Sequence, residues 1–239
     1  MLDLSIIIPA FEESAKISAD IAAAAEFLNS AGLSGEIIIV DDGSEDATAE
    51  IARGVAVNGK VEVVVIRNEL HRGKGFGVRT GMKASRGRYA MFADSGVNIP
   101  YKFALVGVDK IENNLCDIAH GSRKLKQSTI LLAQPLHRRF ISKVFRWFML
   151  AMAGVPRRLS DTQCGFKIYK GDIARELYAA CETDGFLFDI EIIMLALKKN
   201  YRIEEFPVEW TCDLDSRLSV TRSPLPILQE LFQLRKRLR

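Results

Sequence analysis

In "FADSGVNIP", residues 92–100, an apolar run ends on the carboxylate Asp94. Two positions further on, where a metal-binding pair would offer its second carboxylate, the chain has Gly96, with Asn98 after it. Hard cations such as Mg2+ or Mn2+ accept few protein ligands and many from phosphate and water. Asp94, helped by the Asn98 carbonyl oxygen, is therefore a feasible if sparse metal site, and the alternative is an ordinary turn after a strand. Comparable acidic groups follow two other apolar runs: Glu12 and Glu13 after "LSIIIPAF", and Asp41 and Asp42 in "VDDGS". A turn or helix cap is the usual role of any one of them. Several brought to one rim would need a cation, or donors from a ligand, to offset their mutual repulsion. The segment "HRGKGFGVR", residues 71–79, offers donors of that kind. Its close glycines let backbone N–H groups approach a phosphate, and Arg72, Lys74 and Arg79 add positive charge at a helix start. It lacks the P-loop spacing, and no G-x-G-x-x-G follows the first strand, which disfavours triphosphatase and NAD chemistry.

The elements that would position these groups alternate. "LSIIIPAF" (4–11), "EIIIVDD" (36–42), "VEVVVIRN" (61–68) and "RYAMFAD" (88–94) are short, β-branched-rich runs bounded by polar turns, as strands buried on both faces read. The intervening segments have helical apolar spacing, and Ser44 with Glu45 and Asp46 suggests an N-cap and acidic first turn. This alternation predicts an α/β fold with a mostly parallel sheet flanked by helices. Ligands of such sheets sit beyond the strands' carboxyl ends, which is where the acidic turns fall. The second half predicts a strand at "CDIAHGS", a loop, a long helix from Pro135 to Ala153, the segment "DTQCGFKIY", helices over 172–182 and 188–199, a strand at "YRIEEFPVEW" and a C-terminal helix from Pro224.

Whole-chain properties narrow the class. The sequence has 239 residues, 48% hydrophobic and 26% charged, enough for a sizeable core. The opening run has no basic lead or cleavage-type segment, so no signal peptide is expected, and no apolar run is long enough to span a bilayer. Cys116, Cys164, Cys181 and Cys212 form no C-x-x-C pair, which predicts neither a zinc site nor a disulfide framework and fits a reducing cytoplasm. A net charge of +3 does not argue for nucleic acid, although the terminal "LRKRLR" is strongly basic. His71, His120 and His137 are dispersed and read as structural or surface residues.

"SIIIPAFEE", "VDDGSEDAT", "RGKGFGVRTGM", "DIAHGSR" and "DTQCGFKIY", in this order, resemble glycosyltransferase family 2 enzymes of the GT-A fold. The similarity spans residues 3 to 210 and is strongest to the polyprenyl-phosphate glycosyltransferase branch; "DTQCGFK" with "FDIE" (188–191) leans toward its glucosyl members. The resemblance implies a GT-A domain over 1–215, and the pattern of "ILQELFQLRKRLR" predicts a basic amphipathic helix after it, over 216–239. It implies that Pro9, Ala10, Phe11 and Glu13 line a nucleoside pocket, and that Asp41 or Asp42 accepts from the base edge. Gly73, Lys74 and Gly75 would lie near the nucleotide, with Ser95 beside it. Asp94 would hold Mg2+ or Mn2+ on the diphosphate, aided by Asn98. Arg123 would face the acceptor phosphate and Asp161 the reacting centre. The activity implied is inverting transfer of a sugar, foremost glucose from UDP-glucose, to a dolichyl or undecaprenyl phosphate.

A lipid phosphate needs cations at a membrane surface. Within "HRRFISKVFRWFMLAMAGV", Ile141, Val144, Phe145, Phe148 and Met152 follow one helical face, and Arg139, Lys143 and Arg146 another. Such a helix suits peripheral attachment at the cytoplasmic membrane face, with Arg139 and Lys143 toward the acceptor phosphate; a solvated core helix is the alternative. Two other readings stay open: a family 2 transferase acting on a saccharide, and a nucleotide-sugar-binding protein that has lost catalysis.

Overall fold

The computed structural model describes residues 2–132 and 155–212, together with Glu230, Gln233, Leu234, Lys236 and Arg237. The helix expected from Pro135 to Ala153, with Arg139 and Lys143, lies outside the described residues, as does the first part of the expected C-terminal helix.

Four strands, β1 (Leu4–Ala10), β2 (Gly35–Asp41), β3 (Val61–Arg67) and β4 (Tyr89–Ala93), are linked by α1 (Ile17–Ser30), α2 (Thr48–Gly54) and α3 (Lys74–Ala84). All four run parallel, in the order β3-β2-β1-β4. The chain therefore builds outward on one side of β1 and then crosses to the other. That reversal opens a crevice beyond the carboxyl ends of β1 and β4.

After α4 (Ala104–Glu112) come β5 (Ile118–Ser122) and β6 (Thr129–Leu132), then β7 (Phe166–Lys170), α5 (Gly171–Ala180), α6 (Phe188–Lys198), β8 (Ile203–Pro207) and β9 (Glu209–Thr211). β7 lies between β4 and β5, antiparallel to both, and β8 pairs parallel with β5, completing a seven-stranded mixed sheet. The predicted α/β class and mostly parallel sheet hold. Two local expectations do not. "YRIEEFPVEW" is not one strand: Pro207, which has no N–H to extend a ladder, ends β8, and the chain turns so that β9 joins β6 in a separate two-stranded sheet. β6 itself falls in a stretch read as loop, because its four residues are all exposed and show no alternation.

Side-chain alternation along the strands divides the core. Ile6, Ile8, Ile37, Ile39 and Met91 pack on one face with α1, α2 and α4. Ile7, Ile38, Val40 and Phe92 pack on the other with α3, α5 and α6, where Leu234 is also buried. Burial of each such aliphatic or aromatic side chain contributes roughly 1.5–3 kcal/mol. The strands are thereby fixed, and their carboxyl ends become a rigid base for the loops.

Candidate active site

Asp41 and Asp42 close β2 with different duties. Asp41 is fully buried and accepts from the Ser44 N–H (3.1 Å) and the Ser44 hydroxyl, with Arg67 Nε at 3.4 Å. Its carboxylate shapes the turn. Ser44 consequently does not cap α2 as expected: its hydroxyl is spent on Asp41 and on the Glu12 N–H (2.7 Å), and Asp46 accepts from the Thr48 N–H at the helix start instead. The Glu13 N–H donates to the Thr48 hydroxyl at 2.8 Å, so the loop after β1 is tied to the loop after β2.

Asp42 reaches the next loop. Its Oδ2 accepts from the Gly73 N–H at 2.6 Å and the Arg72 N–H at 3.1 Å, and its Oδ1 from the Asn68 side-chain amide at 2.8 Å. His71 Nδ1 lies 2.9 Å from the same carboxylate, and its ring stacks on Phe11 with centroids 3.9 Å apart. At the end of β1 the Ala10 carbonyl accepts from the Asp42 N–H at 2.9 Å, and Phe11, the next residue, meets His71, whereas Pro9 pairs with Val40 in the ladder. Arg72 and Arg79, expected to face phosphate, both pair with Asp184 instead, and both guanidinium groups lie over the Phe76 ring.

Lys74, the first residue of α3, differs from its two neighbours. Its Nζ lies 2.6 Å from Asp94 Oδ1, just past β4. Burial pulls the Lys74 pKa down, but Asp94 and Asp189 more than offset this and leave it raised. The ammonium therefore stays charged in the crevice. Asp94 lines a cavity with Asn98, Arg123, Cys164 and Trp210. The Asn98 side-chain amide donates to the Ser95 carbonyl (3.0 Å), which leaves its own oxygen for another partner.

The antiparallel direction of β7 completes the site. Because β7 runs against β4, its leading residues "DTQCG" lie at the carboxyl end of β4, and the Asp94 N–H donates to the Gly165 carbonyl at 2.9 Å. A Cβ on residue 165 would collide with the Asp94 carboxylate, so only glycine permits this approach. Asp161, 1% exposed, grips Arg123 at the end of β5 with a fork of two bonds: Nε to Oδ2 at 2.7 Å and Nη2 to Oδ1 at 2.8 Å. Burial alone would raise the Asp161 pKa, but the guanidinium overcomes it and holds the carboxyl at about 2. Glu205 on β8 fixes the loop by accepting from the Ser160 and Asp161 N–H groups at 2.9 and 2.7 Å. Arg123 also lies over Trp210, 5.2 Å from the ring centroid. Burial pushes the Cys164 thiol up to about 12, which rules it out as a nucleophile at neutral pH.

Of the residues singled out in the sequence, Asp94, Asn98 and Arg123 share the cavity. Lys74 reaches it through Asp94, and Asp161 stands behind Arg123. Asp42 and Gly73 adjoin through the backbone of the same loop, Gly75 packs against the 183–185 backbone, and Ser95 leads the turn from Asp94 to Asn98. Asp41 is turned inward, away from solvent. Sequence reasoning missed the buried pair Lys167–Asp189, with Lys167 Nζ also donating to the Thr162 carbonyl at 2.9 Å. It missed Asp20, Glu205 and the placing of His71 as well. A lysine inside "CGFKIY" and an aspartate inside "FLFDIEII" were visible signals, since charges in apolar runs are buried only when paired.

The sequence profile of Glycosyl transferase family 2 matches residues 5–178. The chain belongs to glycosyltransferase family 2. As a family 2 glycosyltransferase it is 31% identical to a dolichyl-phosphate beta-glucosyltransferase from Dictyostelium discoideum and 32% identical to one from Drosophila melanogaster; each match covers 98% of this chain and 74% of the relative. Among solved structures, glucosyl-3-phosphoglycerate synthase from Mycobacterium tuberculosis in complex with Mn2+, UDP-glucose and phosphoglyceric acid superposes with a TM-score of 0.72. It is 16% identical and the match covers 98% of this chain and 80% of that one, a likeness of GT-A fold. Among the described residues of this family 2 enzyme, no three His, Cys, Asp or Glu side chains cluster as a metal site, and no helix is long and apolar enough to cross a membrane.

Proposed function

We propose that this glycosyltransferase moves glucose from UDP-glucose to a polyprenyl phosphate of the dolichyl or undecaprenyl type, with inversion at the anomeric carbon. The relatives supply the substrate class, and the Arg123–Asp161 pair carries the reading. A sugar hydroxyl acceptor would need a general base. Asp161, the carboxylate expected at the reacting centre, is instead locked to a guanidinium and holds its pKa at about 2, which makes it a weak base. A phosphate monoester has a second pKa of about 6 and is already largely dianionic at neutral pH, so it needs a positioned cation more than a base. Asp161 accordingly serves to aim Arg123 at the acceptor phosphate.

On the donor side, Asp42 fixes the Gly73 and Arg72 amides beside Phe11 and His71, where the nucleoside would sit, and Lys74 brings positive charge to the diphosphate. The donor set fits a hard cation that draws most of its shell from substrate: Asp94 and the Asn98 side-chain oxygen would hold Mg2+ or Mn2+. When bound, that ion supplies Lewis-acid neutralisation of the departing nucleoside diphosphate. The basic residues in the sequence of 137–155 and the terminal "LRKRLR" support peripheral attachment at the cytoplasmic membrane face, with Arg139 and Lys143 as the residues for the lipid phosphate.

The test is incubation of the purified protein with UDP-glucose, Mg2+ or Mn2+ and a short-chain polyprenyl phosphate, followed by NMR of the product. A β-linked glucosyl phosphate lost on chelation is the expected result. An α-linked product or no glucolipid overturns the reading, and UDP-glucose binding without turnover points to lost catalysis.

A further inference from the structure

The turn that carries Asp94 to Asn98 is strained. Gly96 has φ +91° and Val97 φ +46°, and a β-branched residue in the left-handed region costs on the order of 1–3 kcal/mol unless its surroundings enforce it. The enforcing group comes from 76 residues earlier in the chain. Asp20, in the first turn of α1 and 1% exposed, turns Oδ1 toward this turn and accepts from the Gly96 N–H at 2.8 Å and the N–H of the strained Val97 at 3.0 Å. Its other oxygen, Oδ2, is buried with no hydrogen-bond partner among the described residues. Burial raises the carboxyl pKa to about 6 against the pull of the two amides, so keeping a carboxylate here works against stability at neutral pH. Packing alone would be better served by an apolar side chain.

We propose that Asp20 is a positioning residue of the transferase site: it holds the Gly96–Val97 turn in its left-handed form so that Asp94 and Asn98 face one cavity. The same contact explains Gly96. The position after Ser95 needs positive φ and an N–H aimed at α1, which a second carboxylate-bearing residue would adopt only with strain. For donor binding, the inference rests on the nucleotide-sugar reading of the cavity; for the shape of the turn, it stands independently.

The test uses Asp20→Ala, Asp20→Asn and Asp20→Ala combined with Val97→Asn, since asparagine tolerates the left-handed region. Amide exchange at Gly96 and Val97 reports the turn, and titration with UDP-glucose in the presence of Mn2+ reports the site. Asp20→Ala should speed exchange of both amides at least tenfold and weaken UDP-glucose binding about tenfold. Asp20→Asn, which keeps the accepting oxygen, should stay within about threefold of wild type. Val97→Asn should return part of the affinity lost in Asp20→Ala, a rescue that a merely structural role would not give. Unchanged exchange in Asp20→Ala, or unchanged affinity beside a wild type that binds, overturns the proposal, as does an Asp20→Asn as impaired as Asp20→Ala. Faster exchange in a protein whose wild type binds no UDP-glucose supports the hold on the turn and sinks the donor reading instead.

Discussion

Lys74 Nζ lies 2.6 Å from Asp94 Oδ1, joining the first residue of α3 to the residue that follows β4 across the point where strand order reverses. A cation and an anion from segments 20 residues apart in sequence thus meet where Asp94 lines the cavity, on the edge where α/β sheets bind ligands. Lys74→Ala should raise the KM for UDP-glucose about tenfold or more, which corresponds to about 1.4 kcal/mol. Steady-state kinetics on Lys74→Ala, Asp94→Asn and the double variant should show losses that do not add, as expected for groups in direct contact.

Gly165 stands against the Asp94 carboxylate, where a Cβ would collide with it. Gly165→Ala should therefore displace Asp94 and remove most transfer activity, while Gly54→Ala, at a position open to added atoms, leaves activity intact. Transfer assays on the two variants, with circular dichroism to show that both fold, decide this.

The Arg123–Asp161 pair makes a pH prediction. The folded-state pKa of Asp161, about 2, lies below the usual carboxylate value of 3.8, so the ionised pair contributes stability above about pH 4 that is lost as pH falls through 2. The unfolding free energy of wild type should exceed that of Asp161→Asn at pH 6, with the difference shrinking between pH 4 and 2. Denaturant titrations across that range measure it. The same ionisation predicts that kcat shows no titration attributable to Asp161 between pH 5 and 8.

Lys167 and Asp189 form an ion pair with both side chains almost fully buried. Removing one partner strands a buried charge, so Lys167→Met should cost about 3–5 kcal/mol, whereas the double change Lys167→Met with Asp189→Leu should recover much of it. Thermal melts of the three proteins provide the measurement. Because Asp189 also helps keep Lys74 charged, the double variant should remain impaired in UDP-glucose binding even where it is stable.

How much of this was legible in the sequence follows from what each feature depends on. β1 to β4 were readable because strands buried on both faces need continuous β-branched runs, as in "SIIIP" and "EIIIV". The insertion of β7 against the parallel direction was not, because strand direction depends on how the chain returns to the sheet and leaves no mark in five residues. Asp94 and Lys74 could be singled out by residue type and the local glycine pattern, whereas Arg123 was marked only by the resemblance to family 2 enzymes. The inward turn of Asp41 could not be told from the outward reach of Asp42, since adjacent carboxylates look alike until the Ser44 and Gly73 amides claim one each. Asp20 sits in an amphipathic helix pattern where a single acid reads as solvated, and only its contact with the Gly96–Val97 turn shows otherwise.

The most direct measurement follows radiolabel from UDP-glucose into a polyprenyl phosphate, comparing wild type with Asp94→Ala in the presence of Mg2+ or Mn2+. Label entering the organic phase with wild type and falling at least a hundredfold in the variant is the predicted result. Equal transfer by the two proteins, or no lipid-linked label from wild type with any common nucleotide sugar, would contradict it.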